Sequence, residues 1–403
     1  MTRRAAGFGP GLVSAASDAD PTTVASLAVV GAVTGYALSW LVLLLLPMIA
    51  VVQSIAAAIG AICPTSIQGA IRRHFGLRWA LPALVAVLAV NLMTLTADLE
   101  AGAESLKLLT GIPREYFVLP FAGAVAWLLV SRSYLRVERF LSFLPLIFIC
   151  YGISAVLAKP DWAALARSLV TPHFDFTVPV ATGALALLGT TLTSYVYYWE
   201  SIEVSERGTP PSEIRAMKAD AAWGALAPGI CFFFILVATA ATLGKTHTPV
   251  QTAADAAAAL APLVGSWATA LFAIGLLASA VIAVPVLAGT SAYVVTQTFG
   301  WRGSLDAPIG QARIFYGVLL GSLGISAAFA FAGFSPIGLL YWASVAGGLA
   351  TPLTLCLLVA IAQNRAVMGE NRIEGWLAYA GWAVTIIVSV SCAAFLLVTV
   401  RNA

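Results

Sequence analysis

Apolar stretches of unusual length, set apart by single charged residues, organise this chain. Uncharged runs cover 21 to 71, 79 to 97, 116 to 131, 140 to 158, 176 to 199, 221 to 244, 256 to 301, 314 to 364 and 375 to 400. A bilayer core needs roughly 20 apolar residues per helical crossing, so runs of this size predict membrane spans. Three of them exceed one crossing. The run 21 to 71 divides near Gly31 to Gly35 and the run 314 to 364 near Gly333 to Pro336, while 256 to 301 reads as a surface segment through about Gly265 followed by one long span. The pattern predicts an all-α integral membrane protein, a single membrane domain over 1–403 with about eleven transmembrane helices.

Composition agrees with the pattern. Hydrophobic residues make up 60% of the chain and charged residues 10%, with a mean hydropathy of +0.94, well outside the soluble range. Placing the N-terminus in the cytoplasm puts fifteen Lys and Arg residues on that side, among them Arg72, Arg73, Arg78, Arg136, Arg207 and Arg302. The other side then holds six: Lys107, Arg114, Lys159, Arg167, Lys245 and Arg401. This asymmetry predicts a multi-pass protein of the plasma (inner) membrane with its C-terminus outside. The net charge of +3 reflects that topology and carries no basic patch for nucleic acid. The five cysteines, Cys63, Cys150, Cys231, Cys356 and Cys392, lie singly, without metal or redox spacing. No cleavable signal peptide is read at the N-terminus. No nucleotide-binding or hydrolytic motif occurs, so neither an enzyme, a cofactor nor ATP-driven pumping by this chain is expected, and no obligatory protein partner is evident.

Secondary transporters commonly consist of inverted repeats whose first helices are interrupted at the membrane midplane, beside the substrate. Spans over 11–158 and 176–361 would form two five-helix repeats of opposite orientation, with 374–400 as an additional helix. The first helix of the first half holds Asp20-Pro21-Thr22-Thr23. Proline removes a donor and disrupts the preceding turn, so Asp20 sits where unpaired carbonyls collect and a cation could bind. The alternative is that Asp20 caps a helix beginning at Pro21, against which Leu12 to Ala16 upstream is itself apolar and reads as the first half of the same span. Asp18 reads as a cap or water-facing neighbour rather than a direct ligand. In the second half, Gly189-Thr190-Thr191-Leu192-Thr193-Ser194-Tyr195 offers a run of hydroxyls, which can loosen a helix or serve as ordinary interhelical packing.

The order Gly9-Pro10-Gly11-Leu12, Asp20-Pro21, Gly35-Tyr36-Ala37-Leu38, Trp40 and Gln53 resembles the opening of the NRAMP divalent metal transporters. Ala97-Asp98-Leu99, Gly189-Thr190-Thr191 through Trp199, Pro285-Val286-Leu287-Ala288-Gly289 and Phe315-Tyr316 are similar to the NRAMP-related magnesium transporter branch in particular. The resemblance spans nearly the whole chain and implies a LeuT-type fold of two inverted five-helix repeats plus one extra helix, with the ion between the unwound centres of helices 1 and 6. Position by position, it implies an anionic ligand at Asp20, a hydroxyl at Thr23 where the family has asparagine, and a carbonyl at Ser17. On helix 6 it implies Thr190 as a carbonyl donor, and it puts Thr193, Ser194 and Tyr195 where the family has Met-Pro-His.

Loss of the methionine thioether favours hard cations, since carboxylate, hydroxyl, carbonyl and water suit Mg2+, Ca2+ and Mn2+. Mg2+ dehydrates reluctantly and retains waters, which fits one carboxylate among small hydroxyls. Tyr195 and Glu200 occupy positions associated with histidines in proton-coupled members, and no histidine lies within an expected span. Asp98, Glu100 and Glu104 near the end of the third span are functional candidates by location. Helical spacing groups Glu100 with Glu104, and these carboxylates read as the edge of a water-lined vestibule rather than a proton wire. Glu200 reads either as an inner-vestibule attraction for cations or as a span boundary. The expectation is a facilitator importing Mg2+ and Mn2+ as partly hydrated ions by alternating access, without proton coupling. The alternatives are a proton-coupled Mn2+/Fe2+ transporter of the same family, an organic-substrate symporter, or a non-transporting relative.

Overall fold

Helices dominate wherever the chain is apolar because, without water, a backbone must satisfy its own hydrogen bonds. The computed structural model describes residues 18–131, 150–171, 177–208, 211–246 and 250–402. Its first helices are α1 (Pro21–Thr34), α2 (Ser39–Ile62), α3 (Ser66–His74), α4 (Leu77–Thr110) and α5 (Glu115–Val130). Next come α6 (Cys150–Leu157), α7 (Trp162–Val170), α8 (Val178–Thr191), α9 (Ser194–Glu206) and α10 (Ile214–Thr246). Short helical turns from Ala253 to Trp267 lead into α11 (Ala268–Phe299), followed by α12 (Arg313–Phe329), α13 (Pro336–Gln363) and α14 (Trp376–Asn402). No strand occurs among the described residues. Among the described residues, eight helical segments are long and apolar enough to cross a membrane, and α1 and α5 are shorter apolar helices.

The divisions expected inside the long runs appear where local chemistry requires them. Gly35 ends α1 at φ 58°, a conformation that favours glycine. Gly333 turns the chain at φ 81°, after which Ser335 and Pro336 start α13. The third span departs from its expected length: α4 continues past the uncharged run to Thr110 and spans about 51 Å at 1.5 Å per residue. Asp98 and Glu100 consequently lie fully inside the protein, and Glu104 is nearly so. They do not form a water-lined vestibule edge in this conformation. Glu100 faces the Arg114 guanidinium at 3.6 Å, and Glu104 accepts from Lys107 at 2.9 Å.

Small residues bring the helices together. A Cβ on Gly31 would lie 2.1 Å from Thr239 Oγ1 of α10, and one on Gly60 would lie 2.4 Å from the Ser201 carbonyl of α9. Such approaches let backbones pack without a solvent-driven hydrophobic force, which lipid does not supply. Buried Gln68 on α3 ties other elements together, its amide donating to the Ala80 carbonyl of α4 at 2.9 Å and to Thr298 Oγ1 of α11 at 2.6 Å. The arrangement holds α1 against α10 and α8 against α13, with the candidate site between them.

Candidate cation site

Two helix interruptions face one another at this site. At the first, Asp18 is helical, Ala19 bends and Asp20 is extended (φ −75°, ψ 167°). Asp20 then caps α1, its Oδ1 accepting from the Thr23 amide at 2.6 Å, with Pro21 in the first helical position. Asp20 thus caps α1, after a non-helical step at Ala19 and Asp20 that follows helical Asp18; Leu12 to Ala16 lie outside the described residues. The Ala19 carbonyl, freed by the break, accepts from Ser279 Oγ of α11.

The second interruption separates α8 from α9. Leu192 closes α8 by donating to the Leu188 carbonyl at 3.0 Å, and Thr193 is extended (φ −63°, ψ 140°) before α9 begins. Thr351 Oγ1 of α13 donates to the Gly347 carbonyl of its own helix at 2.7 Å and lies 3.4 Å from the Leu192 carbonyl. Packing fixes this position, because a Cβ on Gly189 would lie 2.0 Å from the Ser344 carbonyl and 2.1 Å from the Gly348 amide nitrogen.

Asp20, Thr22, Thr94, Thr190, Thr193, Tyr195 and Ser344 surround a cleft enclosing about 160 Å3 of empty space, nowhere wide enough to seat a water molecule. Thr23 joins from behind, its Oγ1 lying 2.8 Å from Thr190 Oγ1. Tyr195 O–H donates to Asp20 Oδ2 at 2.8 Å. Asp98 is tied to the first turn of α1 by Thr22, whose Oγ1 donates to Asp98 Oδ1 at 2.9 Å. Asp20, Thr23, Thr190, Thr193 and Tyr195 are thus brought together, and Ser17 lies outside the described residues.

Other sequence candidates are placed differently. Asp18 is 1% exposed and does not cap a helix; neither of its carboxylate oxygens has a hydrogen-bond partner among the described residues. It is therefore no water-facing neighbour. Glu200 is buried on α9 but does not line the cleft, and Glu100 and Glu104 lie with the Arg114 and Lys107 cations. Thr94 and Ser344 are cleft residues that the sequence did not single out, and Thr22, noted there only as part of the Asp20 motif, lines the cleft as well. Thr94 was within reach, standing one turn before Asp98 on the same helix face. Ser344, which meets Ser26 Oγ at 2.6 Å, carried no such signal.

Every polar atom lining the cleft is oxygen or backbone nitrogen, with no sulfur among the lining residues. Among the described residues no group of three or more His, Cys, Asp or Glu side chains is placed to hold a metal, and the polar side chains that line the cleft with Asp20 are all hydroxyls. That donor set suits hard cations.

The family model described as natural resistance-associated macrophage protein-like (Nramp) matches residues 11–398. The chain belongs to the Nramp family. This Nramp chain is 27% identical to the divalent metal cation transporter MntH of Xanthomonas campestris pv. campestris, over 94% of this chain and 88% of that protein. It is likewise 27% identical to the protein of the same name from Mycobacterium tuberculosis, covering 95% of this chain and 89% of the relative. Among solved structures, the manganese transporter of Eremococcus coleocola superposes with a TM-score of 0.71 at 19% identity, covering 95% of this chain and 84% of that one. MhsT in complex with L-phenylalanine shares the architecture more distantly, with a TM-score of 0.56 at 15% identity over 97% of both chains. The Nramp chain therefore has a LeuT-type fold.

Proposed function

We propose that this Nramp-family protein carries divalent cations across the inner membrane by alternating access, taking Mg2+ and also Mn2+, without a coupled proton. The observation that carries this reading is Asp20, a buried carboxylate at one helix break facing the hydroxyls of Thr190 and Thr193 at the other. Asp20 supplies the negative charge, while Thr23, Thr190 and Thr193 supply hydroxyl or carbonyl oxygen; the resemblance adds the Ser17 carbonyl. Absence of sulfur from the cleft lining supports hard cations over softer transition metals. The relatives' names support divalent metal as the cargo. Few charged ligands and small hydroxyls favour an ion that keeps part of its water shell.

An inward-negative potential of about 100 mV supplies roughly 4.6 kcal/mol per divalent ion, at about 2.3 per elementary charge, which suffices for uptake without a second ion. The orientation with N-terminus inside and C-terminus outside follows from the Lys and Arg asymmetry. One observation favours a proton-coupled reading instead: Asp98, a second buried carboxylate, lies one hydroxyl from Asp20's helix. Flux in proteoliposomes separates the two. Asp20→Ala should reduce Mg2+ and Mn2+ uptake to the level of empty vesicles, and wild-type uptake should leave lumenal pH unchanged. Unimpaired uptake by the variant contradicts the site, and lumenal acidification during uptake contradicts the uncoupled mechanism.

A further inference from the structure

Asp20 has both carboxylate oxygens engaged by protein donors, and the two bonds differ in kind. The Thr23 amide bond to Oδ1, at 2.6 Å, is a local helix cap that lasts as long as α1 is helical. The Tyr195 hydroxyl bond to Oδ2, at 2.8 Å, joins residues 175 positions apart and ties one helix break to the other. Tyr195 is fully buried and is the second residue of α9. We propose that Tyr195 competes with the transported cation for Asp20 Oδ2, donating its hydroxyl proton to that oxygen in one stage of the cycle and withdrawing when the ion arrives.

This proposal rests on the reading of Asp20 as the ion's ligand. Its geometric basis is that a phenol donating to a carboxylate aims its proton at the oxygen lone pair a cation would use, and the two positive ends repel each other there. The cleft around the bond is too narrow for a water molecule, so an ion that retains waters enters only if the lining moves, and Tyr195 is the lining group bonded to Asp20 Oδ2. Thr23 and Thr190 close a second candidate position in the same way, hydroxyl to hydroxyl at 2.8 Å.

The bond has a consequence for transport. A buried carboxylate oxygen without a partner is costly. A carrier returning without its ion would otherwise have to hydrate Asp20 or bring another cation to it. Tyr195 satisfies Oδ2 from within the protein and so eases the return, which net uptake requires and ion-for-ion exchange does not. Tyr195 is therefore a residue that determines affinity and turnover, not an ion ligand.

Tyr195→Phe removes the donor and leaves the ring. Hydrogen bonds to charged groups set the expected scale, about ten-fold. By calorimetry the variant should bind Mn2+ about ten-fold more tightly than wild type. In proteoliposomes its net Mn2+ uptake should fall about ten-fold relative to its rate of radioactive Mn2+ exchange. Weaker binding would make Tyr195 a ligand; unchanged binding, or an unchanged ratio of net uptake to exchange, would make it a bystander. Either result overturns the proposal. In an Asp20→Ala background Tyr195→Phe should have no effect on residual binding. Intact Mn2+ binding by Asp20→Ala alone contradicts the site reading instead, so the two failures are distinguishable. Infrared difference spectra of wild-type protein with isotope-labelled tyrosine provide a measurement that does not depend on the variant folding. Mn2+ should shift a tyrosine out of a carboxylate hydrogen bond, and no tyrosine shift would count against competition.

Discussion

The interruptions in the α1 and α8/α9 regions meet at one cleft but arise by different means. At Asp20-Pro21 the break follows from the residues themselves: a carboxylate that caps, and a proline that fits only at a helix start. At Leu192-Thr193 no proline or charge is present, and the break is two residues long, between Thr191 and Ser194. Packing supplies what local chemistry lacks there. Gly189 lies so close to α13 that no side chain fits, and the Thr351 hydroxyl of α13 lies against the Leu192 carbonyl at 3.4 Å. One break carries the charge and the other shapes the space beside it. Changes to the charge at the first break should therefore act on the ion, and changes to the packing that holds the second should act on stability and geometry.

The largest expected effect is at the charged break, where Asp20→Ala should abolish cation uptake while the purified protein keeps its thermal stability to within a few degrees. A large loss of stability would show that Asp20's role as a cap dominates. Next is Gly189→Val, which forces atoms into a backbone contact already closed to a Cβ. It should destabilise the protein by about 3 kcal/mol, near the upper end for overpacking, read as lower melting temperature and loss of monodisperse protein in detergent. Thr351→Val removes the hydroxyl that donates to the Gly347 carbonyl and lies beside the Leu192 carbonyl and should cost about 1 kcal/mol, with a modest rise in KM for Mg2+ flux. The smallest effect is expected for Ser194→Pro, which makes the two breaks alike. Ser194 is the first residue of α9, and Thr193 before it is already extended, as a residue preceding proline prefers. The variant should be as stable as wild type or more stable by about 0.5 kcal/mol. Marked destabilisation would mean that α9 does not begin at Ser194.

Much of this arrangement is legible along the chain because it is written in single residues. Charged positions bound the spans, Gly35 and the segment Gly333 to Pro336 mark two turns, and Asp20-Pro21 marks the first break. What is not legible depends on neighbours distant in sequence. Nothing near Tyr195 in the chain indicates that its hydroxyl meets Asp20, and Ser344 enters the cleft only because α13 crosses α8 at Gly189. The carboxylates on α4 mislead for a related reason. A cluster of charge at the end of an apolar run reads as a surface, but α4 continues as a helix and carries Asp98 and Glu100 into the interior, where Thr22 and Arg114 meet them. Asp18 is likewise buried although its composition marks it for water.

The central claim is that Asp20 and the hydroxyls opposite it form a site for hard divalent cations. Calorimetric titration of the purified wild-type protein and Asp20→Ala with Mg2+, Mn2+ and Cd2+ tests it most directly. The account predicts binding of Mg2+ and Mn2+ by wild type, no preference for Cd2+ over Mn2+, and loss of all three signals in Asp20→Ala. Tight Cd2+ binding with no response to Mg2+, or equal Mg2+ binding by the two proteins, would contradict it.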